Sequence, residues 1–205
     1  MPELPIMALL FLAGILAGIS NAVAGGGTFF TFPIFLLAGL PPVVANASNA
    51  VAVWPGHALA ALGYRRELHD FPHAMKGSMA IAVAGGIVGA LLLAYLGNRA
   101  FSMLIPFLIL FATLLFAFGR VVNRWIDGRT STVSIQTPSL LTRGIEFLIA
   151  VYGGFFGAGL GIMLMGGLLL LGVHDIHTNN ALKNLLGAIV TAVSVVVLSL
   201  SGLVS

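Results

Sequence analysis

Of the 205 residues, 59% are hydrophobic and only 7% are charged, against about 25% charged in an ordinary soluble domain. So little polar surface cannot cover a globule of this size, and the chain is expected in lipid as a polytopic membrane protein. A net charge of +3 is too small to argue for nucleic acid, and the absence of cysteine excludes disulfides and thiolate metal sites.

The first apolar run, 6–24, has no Lys or Arg before it, which argues against a cleaved signal peptide. It is long enough to span, given about 20 residues at 1.5 Å rise. A triple glycine (Gly25, Gly26, Gly27) then leads into 28–40, TFFTFPIFLLAGL, which is too short to span and carries Pro33. A span at 43–63 opens on ANASN and bears His57 after Pro55. Spans at 77–97 and 100–118 form a hairpin with its tip at Asn98-Arg99, and the polar stretch 123–140 reads as a linker. After it come 144–156, a short run 160–172 interrupted by Gly166-Gly167, and a final span at 178–204. These make seven or eight membrane segments. The runs lack the alternation of a membrane barrel, so the expected class is an all-α polytopic membrane protein.

Seven of the nine Lys and Arg fall in two loops, at Arg65, Arg66 and Lys76 and at Arg120, Arg124, Arg129 and Arg143. The hairpin between them returns the chain to the side it left. Both basic loops, 64–76 and 119–143, are therefore expected on the cytoplasmic face.

Residues 18–53 and 152–190 share a layout of helix, glycine-rich break, short apolar piece ending in glycine, turn, and an asparagine-bearing start to a long helix. Gly39 pairs with Gly172, Asn46 with Asn180 and Asn49 with Asn184. If every segment spans, the two repeats are inverted, a recurrent plan of secondary carriers. The expected organisation is a first repeat with its hairpin at 1–118, a linker at 119–143 and a second repeat at 144–205. Compared with the first, the second repeat lacks a last helix, so the chain is expected to be a fragment or to have lost that helix.

The breaks are the first candidate site. Irregular backbone at membrane depth survives only inside protein or along a wet cavity. Gly25, Gly26 and Gly27 would let a half-helix starting at Thr28 aim its N–H groups at an anion, and Gly157, Gly159 and Gly161 repeat the break. Tight helix packing is the competing use of these glycines. The clusters Asn46, Ser48, Asn49 and Asn180, Lys183, Asn184 exceed what helix capping by Asn46 or Thr178 would need, and Asn49 and Asn184 lie a turn inside their helices. Lys183 is an intramembrane cation, which marks function unless it snorkels to the surface. His57 could couple protons or hydrogen-bond between helices as a neutral group. His174, Asp175 and His177 could hold a metal by residue type but read better as a polar surface turn. Nothing has the spacing of a catalytic triad, carboxylate pair or phosphate loop, so no enzyme and no cofactor is expected.

The stretch GISNAVAGGGTFFTFPIFLLAGLPPVVANASNAVAV, followed by ALGYRREL and AGGIVGALLLAYLG, resembles the TauE/SafE sulfite exporter family of small bacterial membrane permeases. The likeness covers essentially the whole chain and is weaker in the second half, where Gly166 stands at the place of Pro33. It implies carriage of small sulfur-containing or organic anions such as sulfite or sulfonates, driven by an ion gradient (H+ or Na+), in the bacterial inner membrane, with homo-oligomers compatible with that role. The expected site is formed where 21–33 and 157–167 meet, with Asn21, Thr28, Asn46, Ser48 and Asn49 adding hydrogen bonds and Lys183 the counter-charge. A channel, or a scaffold whose glycines only pack, are the alternatives.

Overall fold

Inside hydrocarbon a backbone can satisfy its own N–H and C=O groups only by coiling or by closing a barrel, and these apolar runs coil. The computed structural model describes residues 4–23, 25–69, 76–129 and 139–205. Its helices are α1 (Leu4–Val23), α2 (Thr28–Leu37), α3 (Pro42–Gly63), α4 (Arg65–His69), α5 (Lys76–Arg129), α6 (Leu140–Phe155), α7 (Leu160–Leu170) and α8 (Ile176–Leu200). Among the described residues there is no strand.

Three of these are long and apolar enough to cross a membrane: α1 over Leu4–Asn21, α5 over Lys76–Gly119 and α8 over Ile176–Leu200. α3 has spanning length at 22 residues but is diluted by Asn46, Ser48, Asn49 and His57. At 10 and 11 residues, α2 and α7 reach about 15–17 Å, half of a hydrocarbon core of about 30 Å. Large apolar side chains such as Phe11, Leu59, Phe107 and Leu148 stay exposed, as a lipid-facing surface requires.

α5 is two arms joined at Gly97, whose φ of 74° and ψ of 163° break the helix. Along the first arm Gly77 meets Arg143, Gly85 meets Ala150 and Gly89 meets Phe155, so that arm runs in the direction of α6. Beyond the break Phe101 faces Phe155 and Phe111 faces Tyr152, so the chain has turned back. The reversal falls at Gly97 rather than at Asn98-Arg99, because glycine adopts φ > 0 without a steric cost. Asn98 instead accepts a hydrogen bond from the Val43 N–H at 3.0 Å and caps the start of α3. The second arm continues to Arg129, so residues 119–129 of the expected linker are helical. No proline interrupts GRVVNRWIDGR, and its arginines favour helix. Residues 130–138 of that linker lie outside the described residues.

The chain's two ends are built alike. Gly25 and Gly157 both have φ of 78°, and each donates to the carbonyl five residues back, Ser20 at 2.9 Å and Tyr152 at 3.3 Å. Gly39 and Gly172 both have φ of 83°. Their N–H groups bond Leu36 and Leu169, and the next residues, Leu40 and Val173, bond Phe35 and Leu168, the Schellman way of ending a helix. Short helices α2 and α7 thus stop by the same device.

Glycines also set how closely the elements approach. A Cβ on Gly154 would lie 2.9 Å from the Gly86 Cα, and one on Gly89 would lie 2.7 Å from the Phe155 N. The first arm of α5 therefore lies backbone to backbone on α6. α8 begins on Asp175, whose carboxylate accepts from the Thr178 N–H at 2.8 Å and hydroxyl at 2.6 Å. The cap is Asp175 and not Thr178, and the HDIH turn is in part this cap.

Two predictions follow from this packing. Gly154→Val has nowhere to put its side chain, and overpacking costs about 1–3 kcal/mol. Its melting temperature in detergent should fall, while Gly14→Ala, whose Cβ meets nothing within 4 Å, should hold or gain. The Thr178 hydrogen bonds hold the Asp175 carboxyl below its ordinary value of 3.8. A lowered pKa means stability that is complete above that value and is lost as pH falls through the folded one. Melting temperature should therefore drop on acidification below about pH 4, and Asp175→Asn should lose that component of the drop.

Candidate functional site at the two helix breaks

The first break is closed by side chains reaching in from its neighbours. Asn21, buried near the end of α1, accepts the Gly27 N–H at 2.7 Å. A Cβ on Gly27 would sit 2.6 Å from that same amide, so only glycine fits beneath Asn21. Thr31 donates to the Asn49 amide oxygen and lies 3.2 Å from the Gly27 carbonyl, and Asn49 in turn donates to the Thr28 hydroxyl at 3.2 Å. Phe29 and Phe30 donate to Gly26 and Gly27 at 3.1 and 3.0 Å. The start of α2 was expected to offer free N–H groups. Those of Gly27, Phe29 and Phe30 are instead committed within the protein, because an unpaired donor at this depth is costly.

The second break is built from Phe156 to Gly159, with Gly159 at φ of 77° preceding α7. The Tyr152 hydroxyl donates to the Ala158 carbonyl at 2.7 Å. Asn46 donates to the Phe155 carbonyl at 2.9 Å, so it pairs the end of α6 and does not cap α3. The two breaks touch: a Cβ on Gly25 would lie 2.7 Å from the Gly161 nitrogen. Gly26 is held under the Phe116 ring, 2.7 Å from the place of its absent Cβ. Phe156 is gripped edge-on by Phe32, with ring centres 5.5 Å apart.

Between the breaks lies a cavity lined by Asn21, Thr28, Asn46, Asn49, His57, Gly157, Thr191 and Ser194. It leaves about 20 Å³ for the centres of water molecules, room for about one, so the structure is closed around this point. The buried Asn46 amide oxygen has no hydrogen-bond partner among the described residues. Among the described residues no carboxylate lines the cavity, and His57 is its one titratable wall. Such a wall, made of amides and hydroxyls with no fixed negative charge, can hold an oxyanion through several modest hydrogen bonds.

Not every expected residue is brought here. Ser48 accepts from the Ser205 N–H at 3.0 Å instead of facing the cavity. Gly161 serves the backbone contact with Gly25 rather than the wall, and Gly159 supplies the left-handed residue before α7. Lys183 and Asn184, buried at 1% and 0% exposure, lie on α8 two turns or more before Thr191, and Asn180 is on the same side a turn earlier still. The cavity's His57 lies next to α8 at Gly187, its Nδ1 3.3 Å from that residue's Cβ position. Asn179 holds the turn after α7, donating to Val173 at 3.0 Å and Met165 at 3.3 Å. Glu146 pairs with Arg143 at 2.8 Å. Thr191 and Ser194 were not singled out from sequence. Their hydroxyls return to their own helix at Gly187 and Val190, both at 2.8 Å. The signal was the spacing 184, 187, 191, 194, one small or polar face in an apolar helix.

Known proteins bear on this arrangement. A probable membrane transporter protein, ORF9, of Sinorhizobium is 32% identical over 162 residues, covering 79% of this chain and 60% of that protein. A probable membrane transporter protein of Haemophilus influenzae is 30% identical over 170 residues, covering 82% and 65%. The probable membrane transporter protein YfcA of Escherichia coli K12 is 26% identical over 156 residues, covering 76% and 56%. The chain thus spans 60% of the length of the Sinorhizobium relative and a similar share of the others. No solved structure matches. The sequence matches the sulfite exporter TauE/SafE family over residues 10–205, a group of membrane transporters and not of enzymes, and the chain belongs to that family.

Proposed function

We propose that the protein is a secondary carrier for small sulfur-containing or organic anions, sulfite and sulfonates foremost, working by alternating access around the cavity between the two breaks. The observation that carries this reading is the closed cavity itself. It is walled by Asn21, Thr28, Asn46, Asn49, Thr191 and Ser194 from both ends of the chain, and among the described residues no carboxylate faces it to repel an anion. The substrate class takes its support from the family. In this reading the repeats at 18–53 and 152–190 are inverted, the loops 64–76 and 119–143 face the cytoplasm of a bacterial inner membrane, and an H+ or Na+ gradient drives the cycle, with His57 as the proton-coupling group.

A channel is the weaker reading. Beyond Ser194 the cavity wall becomes Leu198 and Phe156, which pack with Phe32 and Phe101 in a buried apolar cluster. A continuous wet pore would have to breach that aromatic seal. A scaffold role explains Gly85, Gly86, Gly89 and Gly154 by packing, but it gives no use to the amides and hydroxyls that line the cavity.

The test is uptake of labelled sulfite and of sulfoacetate by proteoliposomes carrying the purified chain. Asn49→Leu and the near-isosteric Thr191→Val should each lower flux about tenfold or more, as expected when a buried hydrogen bond worth about 1–3 kcal/mol is removed. Both variants should remain monodisperse on gel filtration. Wild-type flux in both folded variants would reject the cavity as the substrate site.

A further inference from the structure

The hydrogen bonds already made around the cavity decide what its wall has left to offer. Thr191 and Ser194 donate their hydroxyl hydrogens to Gly187 and Val190 of their own helix, both at 2.8 Å. Each oxygen keeps only lone pairs for the cavity that it lines. Asn46 turns its amide nitrogen to the Phe155 carbonyl at 2.9 Å. Flipping that amide would set oxygen against oxygen, so its orientation is fixed. The Asn46 amide oxygen is left without a partner among the described residues, on a side chain 3% exposed.

The end of α6 adds to this acceptor side. The last carbonyls of a helix have no partner within it. Here Tyr152 receives the Phe156 and Gly157 N–H groups, and Phe155 receives Asn46. The carbonyls of Gly153 and Gly154, both residues of the cavity wall, accept no hydrogen bond from beyond the helix among the described residues. A Cβ on Gly153 would lie 3.0 Å from the Val190 side chain, so the helix end abuts α8 beside Thr191. A helix C-terminus is also the negative end of its dipole, which favours a cation. The donors lie opposite, on α1 and α2. Asn21 spends its oxygen on Gly27 and keeps its amide N–H groups for the cavity. The Thr28 hydroxyl accepts from Asn49 and, among the described residues, keeps its hydrogen.

We propose that the acceptor side of the cavity, formed by Asn46, Thr191, Ser194 and the end of α6, is a sodium site. Hard cations take oxygen ligands, and divalent ones take carboxylates among them. Among the described residues no cluster of acidic, histidine or cysteine side chains could hold a metal, whereas neutral hydroxyl, amide and carbonyl oxygens suit a monovalent ion. Room for about one water is room for one unhydrated sodium ion. His57 lies eleven residues past Asn46 on α3 and Lys183 eleven before Ser194 on α8, each about 16 Å along the axis, so neither crowds this side with charge. The ion site stands on the geometry of the wall, and its coupling role rests on the reading of the cavity as a substrate site. On that reading the breaks part to admit an anion between the ion and the donors of Asn21 and Thr28. Each charge then offsets the cost of burying the other, and sodium is the ion whose gradient drives the cycle.

Melting of the purified full chain in detergent and proteoliposome flux, each with potassium replacing sodium at constant ionic strength, test this. Without sulfite, wild-type protein should bind one radioactive sodium ion per chain and melt higher in sodium, since a ligand of the folded state stabilises it. Ser194→Ala and the near-isosteric Thr191→Val should each raise the half-saturating sodium concentration about tenfold or more, the loss that even an outer-shell partner of a metal causes. Gly14→Ala, whose Cβ meets nothing within 4 Å, should leave it unchanged. Sulfite should lower that concentration about fivefold or more, and sodium should tighten sulfite by the same factor. Equal melting in sodium and potassium, with flux indifferent to sodium, would overturn the sodium site and leave the anion reading of the cavity standing. Undiminished sodium binding in both folded variants would overturn it equally. Sodium binding by a wild-type protein that neither binds nor carries sulfite or sulfoacetate would uphold the ion site and overturn its coupling to an anion.

Discussion

A backbone amide buried in an apolar interior must find a partner, and the architecture of this chain follows from how the two breaks meet that demand. Ending a helix inside packed protein leaves donors and acceptors that water would otherwise satisfy. Here the partners are side chains carried by neighbouring spans. Asn21 takes the Gly27 N–H, Asn46 takes the end of α6 through Phe155, and Tyr152 takes Ala158. Each bond ties a break to a specific helix, so the requirement that permits irregular backbone also fixes which helices surround it. α3 is held between the two breaks because its first two turns serve both.

Glycine makes the second half of that solution possible. Gly25 against Gly161 and Gly27 beneath Asn21 are contacts that a single methyl group would prevent. At Gly85, Gly89 and Gly154 the same smallness brings the first arm of α5 onto α6, and at Gly86 onto Val190 of α8. The glycine content therefore divides between two tasks. One brings whole helices together, and the other lets two chain interruptions share one point in space.

Much of this was legible in the residues, and the physical reasons separate what was from what was not. Half-length elements at α2 and α7 were readable because length alone decides whether an apolar run can cross. Gly39 and Gly172 were readable as matched helix ends because a left-handed terminus almost demands glycine. The role of Asn46 was not: the same amide could cap its own helix or another's, and only the fold decides. Ser48 was grouped with the cavity because it adjoins Asn49 in sequence, whereas a neighbour in a helix points about 100° away and need not share a site; Lys183 was grouped with it as a cation inside an apolar run, a signal that gives no position. The extension of α5 to Arg129 was missed because charged residues were read as loop, although a helix leaving the bilayer carries its charge into water without strain.

The bond between Asn21 and Gly27 has one further consequence, which concerns reversibility. On the carrier reading proposed above, an anion that takes the Gly27 N–H first displaces the amide oxygen already there. The net gain would then be the difference between two hydrogen bonds rather than the whole of one. Departure of such an anion would return the N–H to Asn21 without leaving a bare donor, which suits a site that has to release what it binds.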